Sequence, residues 1–202
     1  MNDSNLLLEI QKGFDSAVRW AKDRPEVSNQ LKSSKFVHSI GEKLFTLQPK
    51  DTVNLNVIKV NDQGIKESGE WLLDITITQN IDGFKNKIVW AVESESDVSK
   101  KAFHNDFAKL FHINSENYLY LNGLNHKTMK GKDKYIEKRL KEVDEIIKNC
   151  DKTFWFAFWA SPCQSNESPS IWKELHEEGK FKHLKKVRLF KFEEGSYKEI
   201  YK

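Results

Sequence analysis

The chain has 202 residues, of which 38% are hydrophobic and 31% are charged, and its formal net charge is +3. This composition excludes a wholly disordered chain, and the length suits one elaborated domain with a real core. No apolar run approaches the roughly 20 residues of a membrane-spanning helix, and the N-terminus has no signal-peptide pattern. Two cysteines, Cys150 and Cys163, without a Cys-x-x-Cys pair fit a reducing compartment, so we predict a cytoplasmic protein with no membrane association.

The first part of this single predicted domain, residues 1–48, has helical periodicity. Apolar residues recur at steps of three or four over residues 7–21 and again over 37–47, on either side of Pro25. We therefore predict two N-terminal helices, the second of which includes Glu42.

Residues 52–121 change to the alternating pattern of strands. Three strands separated by turn residues are predicted, at 53–60, 71–78 and 87–95. Their hairpin spacing favours an antiparallel meander. A helix at about 98–111 and a short buried strand at 118–121 complete this middle part of the chain.

Residues 122–202 form a C-terminal elaboration. Its predicted elements are an amphipathic helix at 134–150, a buried aromatic strand at 154–160, a helix at 170–178, and a hairpin of 186–192 with 197–201. Trp172 is expected to be exposed. The alternation of helices and strands predicts an α/β domain with a central mixed sheet flanked by helices.

Three carboxylates interrupt strongly apolar strands. Asp74 lies within one predicted strand, and Glu93 and Glu95 share a face of the next. Adjacent antiparallel strands would bring Asp74 beside Glu93, and such a cluster repels itself unless a divalent cation such as Mg²⁺ neutralises it. The alternative is that these acids are ordinary strand ends in solvent, which predicts an exposed Asp74.

Asp74 in the segment LLDIT, followed about twenty residues later by Glu93-Ser94-Glu95 in WAVESES, resembles the PD-(D/E)xK nuclease pattern. The order of helix, three strands, helix and strand over residues 35–121 is similar to the core of that superfamily. The resemblance implies a restriction-endonuclease-like fold and a metal-dependent nuclease, a hydrolase that cleaves DNA with Mg²⁺ or, in its place, Mn²⁺.

The resemblance also implies roles for individual residues. Asp74 and Glu93 would bind the metal ion, with the carbonyl of Ser94 as a further ligand. Glu42 lies in the preceding helix, where members of the superfamily often place another acid, so it is a candidate catalytic residue.

The sequence departs from the family at position 95, where Glu95 replaces the usual lysine. Some restriction endonucleases of the superfamily carry glutamate there and remain active. Glu95 would then orient or deprotonate the attacking water or hold a second metal ion. Lys109, in the next helix, would reach back toward Glu93 and stabilise developing negative charge. The alternative function is a catalytically inactive binding or interaction module.

Basic runs offer a surface for nucleic acid, because phosphate contacts dominate its binding. Six cations lie between Lys180 and Lys191 with no acid among them, four lysines lie between Lys127 and Lys134, and Lys100-Lys101 begins the middle helix. We predict DNA as the partner, with RNA left open, and consider a homodimer because the superfamily often forms one. Ordinary solubilising surface charge is the alternative explanation.

Overall fold

A computed structural model describes residues 2–49, 53–61, 63, 73–81, 86–96, 99–147, 150–162, 171–177 and 179–201. The helices are α1 (Asp3–Lys22), α2 (Asn29–Thr46), α3 (Lys100–His112), α4 (Met129–Ile147) and the short α5 (Ile171–Leu175), with one 3₁₀ turn at Lys182–Leu184. The strands are β1 (Val53–Val57), β2 (Ile75–Asn80), β3 (Asn86–Glu95), β4 (Asn117–Leu124), β5 (Phe154–Ala160), β6 (Arg188–Glu193) and β7 (Ser196–Ile200).

The strands form one seven-stranded sheet in chain order, from β1 to β7. β3, β4 and β5 are parallel neighbours, whereas the other four adjacent pairs are antiparallel. α3 and α4 make the two crossovers that parallel neighbours require. The predicted α/β architecture with a mixed central sheet is therefore confirmed. The carboxyl ends of β3, β4 and β5 meet at one edge, here called the carboxyl edge (residues 93–96, 122–125 and 158–161).

Local sequence signals explain where several elements begin and end. Asn2, Ser28 and Ser99 cap α1, α2 and α3, each with a side-chain oxygen that accepts a backbone N–H of the first turn. Glu194 and Gly195 both have positive φ, 53° and 75°, as a tight turn between β6 and β7 requires.

Aromatic side chains fill the core on both faces of the sheet. Phe36 of α2 stacks on Trp159 of β5 with ring centroids 3.9 Å apart. Phe107 of α3 packs against Phe156 of β5. Phe156 lies three positions before Trp159, so the two side chains point to opposite faces of the sheet. The prediction that the aromatic run 154–160 is a buried strand is confirmed, since every residue of β5 is buried.

Some boundaries and exposures differ from the predictions. Trp172 was expected at the surface but is 1% exposed, and its indole Nε1 donates to the carbonyl of Ala160 at 2.6 Å. β2 begins at Ile75, so Asp74 precedes the strand instead of lying inside it. α4 begins at Met129, five residues before the predicted start, because the Thr128 hydroxyl accepts the N–H of Gly131.

Other predictions fall on residues outside the described ranges. These are the first residues of the predicted second strand (71–72), the predicted turn at 82–83, and Cys163. Within the described part of the chain, no helix combines the length and apolar character needed to cross a bilayer.

Candidate active site

Asp74 contacts the strand that carries the other two carboxylates. Its Oδ2 accepts the backbone N–H of Ser94 at 2.7 Å. Ile75 pairs with Val92 in the antiparallel register, so the next step along the two strands places Asp74 alongside Glu93. Asp74 is partly buried, which is contrary to the interpretation of this acid as a strand end open to solvent.

Glu93 is buried at the carboxyl edge, with 1% of its surface exposed. Its Oε1 makes no hydrogen bond within the described part of the chain. Burial and, secondarily, the charge of Asp74 raise the pKa of Glu93 to about 9. This shift favours the protonated form of Glu93 at neutral pH, since ionisation would place a second buried negative charge beside Asp74.

Lys109 of α3 supplies a cation to this cluster. Its Nζ lies 3.4 Å from each carboxylate oxygen of Glu93 and 2.9 Å from Oδ1 of Asp106. Burial lowers the pKa of Lys109, but the hydrogen bonds and charges of Asp106 and Glu93 outweigh it and raise the pKa overall. Sequence analysis gave Asp106 no role, although its i,i+3 spacing from Lys109 on a helix predicts this contact.

Glu95 lies two residues beyond Glu93, in register with Asn122 of the parallel strand β4. Asn122 is fully buried, and its Oδ1 accepts the hydroxyl of Tyr135 at 3.1 Å. Its Nδ2 has no hydrogen-bond partner among the residues described. Sequence analysis missed Asn122, although an asparagine within the strand YLYLNGL is as unusual as an aspartate there.

Replacing Asn122 with leucine is expected to cost less stability than replacing Asn117 with leucine. The change removes an amide NH₂ group that has no partner among the residues described, which offsets the loss of the acceptor of the Tyr135 hydroxyl, each effect being about 1–3 kcal/mol. Urea unfolding would measure the change against Asn117→Leu as a control, because the Asn117 amide donates to the carbonyl of Val89 at 2.8 Å. A loss for Asn122→Leu as large as that for Asn117→Leu would show that the Asn122 amide is satisfied.

Glu42 is not joined to this cluster by any contact described. It lies on α2 with its side chain 60% exposed, and its Oε1 is 3.5 Å from Nε2 of His38. Burial lowers the pKa of His38, although the charge of Glu42 opposes that shift. The catalytic role of Glu42 thus stays a prediction from the resemblance alone.

The oxygen chemistry of the cluster fits Mg²⁺, a hard ion that prefers carboxylate and carbonyl ligands. Burial and the charge of Asp74 raise the pKa of Glu93, and a cation held beside these carboxylates would lower it again. Across the described ranges, however, no three His, Cys, Asp or Glu side chains converge closely enough to hold a metal ion by themselves. Ligands from the backbone, the nucleic acid or water would have to complete its coordination.

The predicted phosphate surface is partly neutralised by the protein itself. Lys132 is 2% exposed, and its Nζ donates to the carbonyls of His183 and Lys186, so this lysine ties α4 to a loop and is no surface cation. Arg188 forms a bidentate ion pair with Glu199 and also donates a hydrogen bond to Asp133.

Other lysines of these runs are exposed. They are Lys100, Lys101, Lys127, Lys130, Lys134, Lys180, Lys182 and Lys186. Lys100 and Lys101 begin α3, which follows the carboxyl end of β3 and carries Lys109.

Comparison of the chain with family models, with curated proteins and with solved structures found no match.

Proposed function

We propose that this protein is a metal-dependent nuclease that hydrolyses DNA, built on a restriction-endonuclease-like core. The observation that carries the proposal is the meeting of three groups at the carboxyl edge: Asp74 bonded to the N–H of Ser94, buried Glu93, and Lys109 within 3.4 Å of Glu93. Two carboxylates and a lysine are the groups that phosphodiester hydrolysis needs to hold a metal ion and stabilise charge.

The order of elements supports the same proposal. α2, β1, β2, β3, α3 and β4 follow one another along the chain, and α3 connects β3 to its parallel neighbour β4. This is the helix, three strands, helix and strand order of the superfamily. The carboxyl ends of parallel strands are also where α/β proteins commonly bind ligands.

In the proposed site, Asp74, Glu93 and the carbonyl of Ser94 hold Mg²⁺ or Mn²⁺. The bound ion supplies positive charge at the scissile phosphate and lowers the pKa of the attacking water. The hydrogen bond from the N–H of Ser94 holds the Asp74 carboxylate against β3. Glu93 would ionise to serve as a ligand, because a cation at this position would offset the burial and the Asp74 charge that raise its pKa.

In the proposed site, Lys109 and Glu95 act on the phosphate and on the attacking water. Lys109 is 46% exposed at its side chain, so its Nζ contacts Glu93 and also reaches solvent, where a phosphate oxygen would lie. Asp106 positions that ammonium group from the preceding helical turn. Glu95 is partly exposed at the same edge and orients the attacking water or accepts its proton.

DNA is the proposed partner, guided by the exposed lysines that begin α3 and α4. We propose action in the cytoplasm, where the thiols stay reduced, and dimerisation as in many members of the superfamily. An inactive nuclease-like binding module is the second candidate. The observations that favour it are Glu95 in the place of the family lysine and the absence of a three-acid metal group from the described residues.

The test is cleavage of plasmid DNA, single-stranded DNA and RNA with Mg²⁺, Mn²⁺ or EDTA. We expect the wild-type protein to cut with a divalent cation and not in EDTA, and Asp74→Ala to abolish cutting. Asp15→Ala, which removes an exposed carboxylate from α1, is the matched control and should cut normally. Failure of the folded wild type on every substrate would favour the inactive module, and full activity in Asp74→Ala would overturn the assigned site.

A further inference from the structure

Asn122 is a buried polar side chain at the carboxyl edge to which the proposed reaction gives no role. It is fully buried, and its Nδ2 has no hydrogen-bond partner in the part of the chain that the structure describes. A buried amide donor without a partner costs about 1–3 kcal/mol. Such a donor is explained if a partner reaches it in a working state of the protein, and the surroundings of the amide indicate which group that partner is.

Tyr135 and Arg139 of α4 fix the direction of this amide. The Tyr135 hydroxyl lies 3.1 Å from the Asn122 Oδ1 and also forms a hydrogen bond with the Arg139 side chain. An arginine side chain can only donate, so the hydroxyl accepts from Arg139 and gives its own proton to Oδ1. The NH₂ group of Asn122 is therefore on the side of the amide away from Tyr135.

Arg139 is itself held firmly in place. It is 3% exposed, and its Nη1 donates to Oε2 of Glu142 at 2.6 Å. Its guanidinium carbon lies 4.8 Å from the ring centre of Phe103 and 4.9 Å from that of Tyr135. The cation–π contacts add to the ion pair and limit the movement of the guanidinium. The amide of Asn122 is thus a preorganised donor.

Glu95 is the direct neighbour of Asn122 on one side of the sheet. The two residues are paired in the register of the parallel strands β3 and β4, which lie about 4.8 Å apart as neighbouring strands do. On the other side, Asn122 is paired with Phe158 of β5, whose ring offers no strong acceptor. Of the two neighbouring strands, only β3 therefore places an acceptor side chain beside the amide.

Glu95 and Asn122 also share a face of the sheet with the acidic cluster. Burial, followed by the charges of Asp106 and Glu95, raises the pKa of Tyr120, which lies two residues before Asn122 on the same face. Glu93 lies two residues before Glu95 and faces the same way. A carboxylate accepts several hydrogen bonds, so a bond from Asn122 is compatible with other contacts of Glu95.

We propose that Asn122 is a positioning residue for Glu95. When the acidic cluster holds its cation and Glu95 turns toward the attacking water, the Asn122 NH₂ group donates to one carboxylate oxygen of Glu95 and leaves the other oxygen to the water. The inference rests on the proposed function, from which it takes the role of Glu95. A hydrogen bond that forms only at this stage favours the reacting state over the resting state.

Nuclear magnetic resonance of the full chain tests this inference without requiring cleavage. In ¹⁵N-labelled protein, the side-chain amide signal of Asn122 is identified by its loss in Asn122→Leu. We expect Mg²⁺ to move one of its two protons downfield, as a hydrogen bond to a carboxylate does, and to have no such effect in Glu95→Ala. The backbone amide of Ser94, which donates to Asp74, reports cation binding independently.

The two signals separate the inference from the proposed function. A shift of the Ser94 signal with Mg²⁺ while the Asn122 signal stays unchanged would overturn the inference and leave the metal site standing. A shift of Asn122 that persists in Glu95→Ala would also overturn it. The absence of both shifts would count against the metal site and the inference together.

Cleavage kinetics provide a second test. Asn122→Leu should lower kcat about 10–100-fold, as loss of a group that supports a functional ligand does, with KM for DNA nearly unchanged because the buried amide does not contact DNA. In a Glu95→Gln background the same substitution should cause no further loss, since residues that act as a unit are not additive. Asn117→Leu, at the amino end of β4, is the control and should cut normally per folded molecule.

A purely structural role of Asn122 predicts a different result. Asn122→Leu would then lower kcat by the same factor in the wild-type and Glu95→Gln backgrounds, and that outcome would overturn the inference. An unchanged kcat in Asn122→Leu would overturn it as well. If the folded wild type cuts no nucleic acid, the shift of the Asn122 signal with Mg²⁺ still decides the inference.

Discussion

Replacing Glu93 with glutamine is expected to make the protein more stable at pH 8 and to abolish the DNA cleavage proposed above. Glutamine keeps the shape of the buried side chain but cannot ionise. Burial, followed by the charge of Asp74, raises the pKa of Glu93 from its ordinary value of 4.5 to about 9. At high pH the wild-type protein must either keep the proton on Glu93 or bury a negative charge. Either choice lowers its free energy of unfolding.

The sign of the pH dependence follows from that shift. The folded state binds the Glu93 proton more tightly than the unfolded state, so its stabilising contribution is complete below pH 4.5 and is lost as the pH rises toward 9. Urea unfolding in EDTA at pH 5 and pH 8 should show this loss in the wild type and a much smaller loss in Glu93→Gln. Mg²⁺ should reduce the loss in the wild type, since a cation favours the ionised carboxylate.

Cleavage provides the second measurement on the same variant. Removing a group that only positions a metal ligand commonly lowers metal affinity or activity 10–100-fold. Removing the proposed ligand itself should therefore lower the cleavage rate by more than about 100-fold. Glu26→Gln, at an exposed position between α1 and α2, is the control and should match the wild type in both assays. A pH dependence that persists unchanged in Glu93→Gln would show that another group causes it.

Replacing Gly123 with alanine is expected to destabilise the protein by about 1–3 kcal/mol, as overpacking of a tight core does. A Cβ at this position would lie 2.9 Å from the Cα of Ser96, 3.0 Å from the Cβ of Ser161 and 3.1 Å from the carbonyl oxygen of Glu95. The first and third of these atoms belong to the backbone of the chain leaving β3, which cannot rotate away. The carboxyl ends of β3 and β4 would have to separate.

Because Glu95 directly precedes Ser96, this separation should also lower cleavage in the proposed nuclease. Lys138→Ala, at an exposed position of α4, is the control and should leave stability nearly unchanged. Alanine suits the interior of a helix at least as well as lysine does. Equal stability of Gly123→Ala and the wild type in urea would show that the carboxyl edge is less tightly packed than this geometry indicates.

The regular elements were largely predictable because their signals are local. The apolar spacing of α1 and α2, the alternation in β3 and the turn at Glu194-Gly195 each reflect residues within a few positions of one another. The pairing of the strands near Asp74 and Glu93 was also predictable, since short connections join antiparallel neighbours. The sequence predicts Asp74 inside a strand, whereas β2 begins at the next residue, because strand ends depend on pairing with the next strand.

Packing between distant segments decided the rest. The burial of Trp172 depends on the carbonyl of Ala160, and the burial of Lys132 depends on carbonyls more than fifty residues further along the chain. The residues next to a lysine in a polar segment do not indicate whether tertiary contacts will bury it. The amide of Asn122 likewise became notable only when the sheet placed it beside Glu95.

The amino-acid sequence by itself thus determined the class of fold and the two neighbouring segments that carry Asp74 and Glu93, since both follow from short-range periodicity. Only the tertiary structure decided that Lys132 and Trp172 are buried and that Asn122 lies beside Glu95. The physical reason is that charge and burial depend on distances between segments far apart in the chain. The packing of helices on the sheet sets those distances, and no local pattern encodes them.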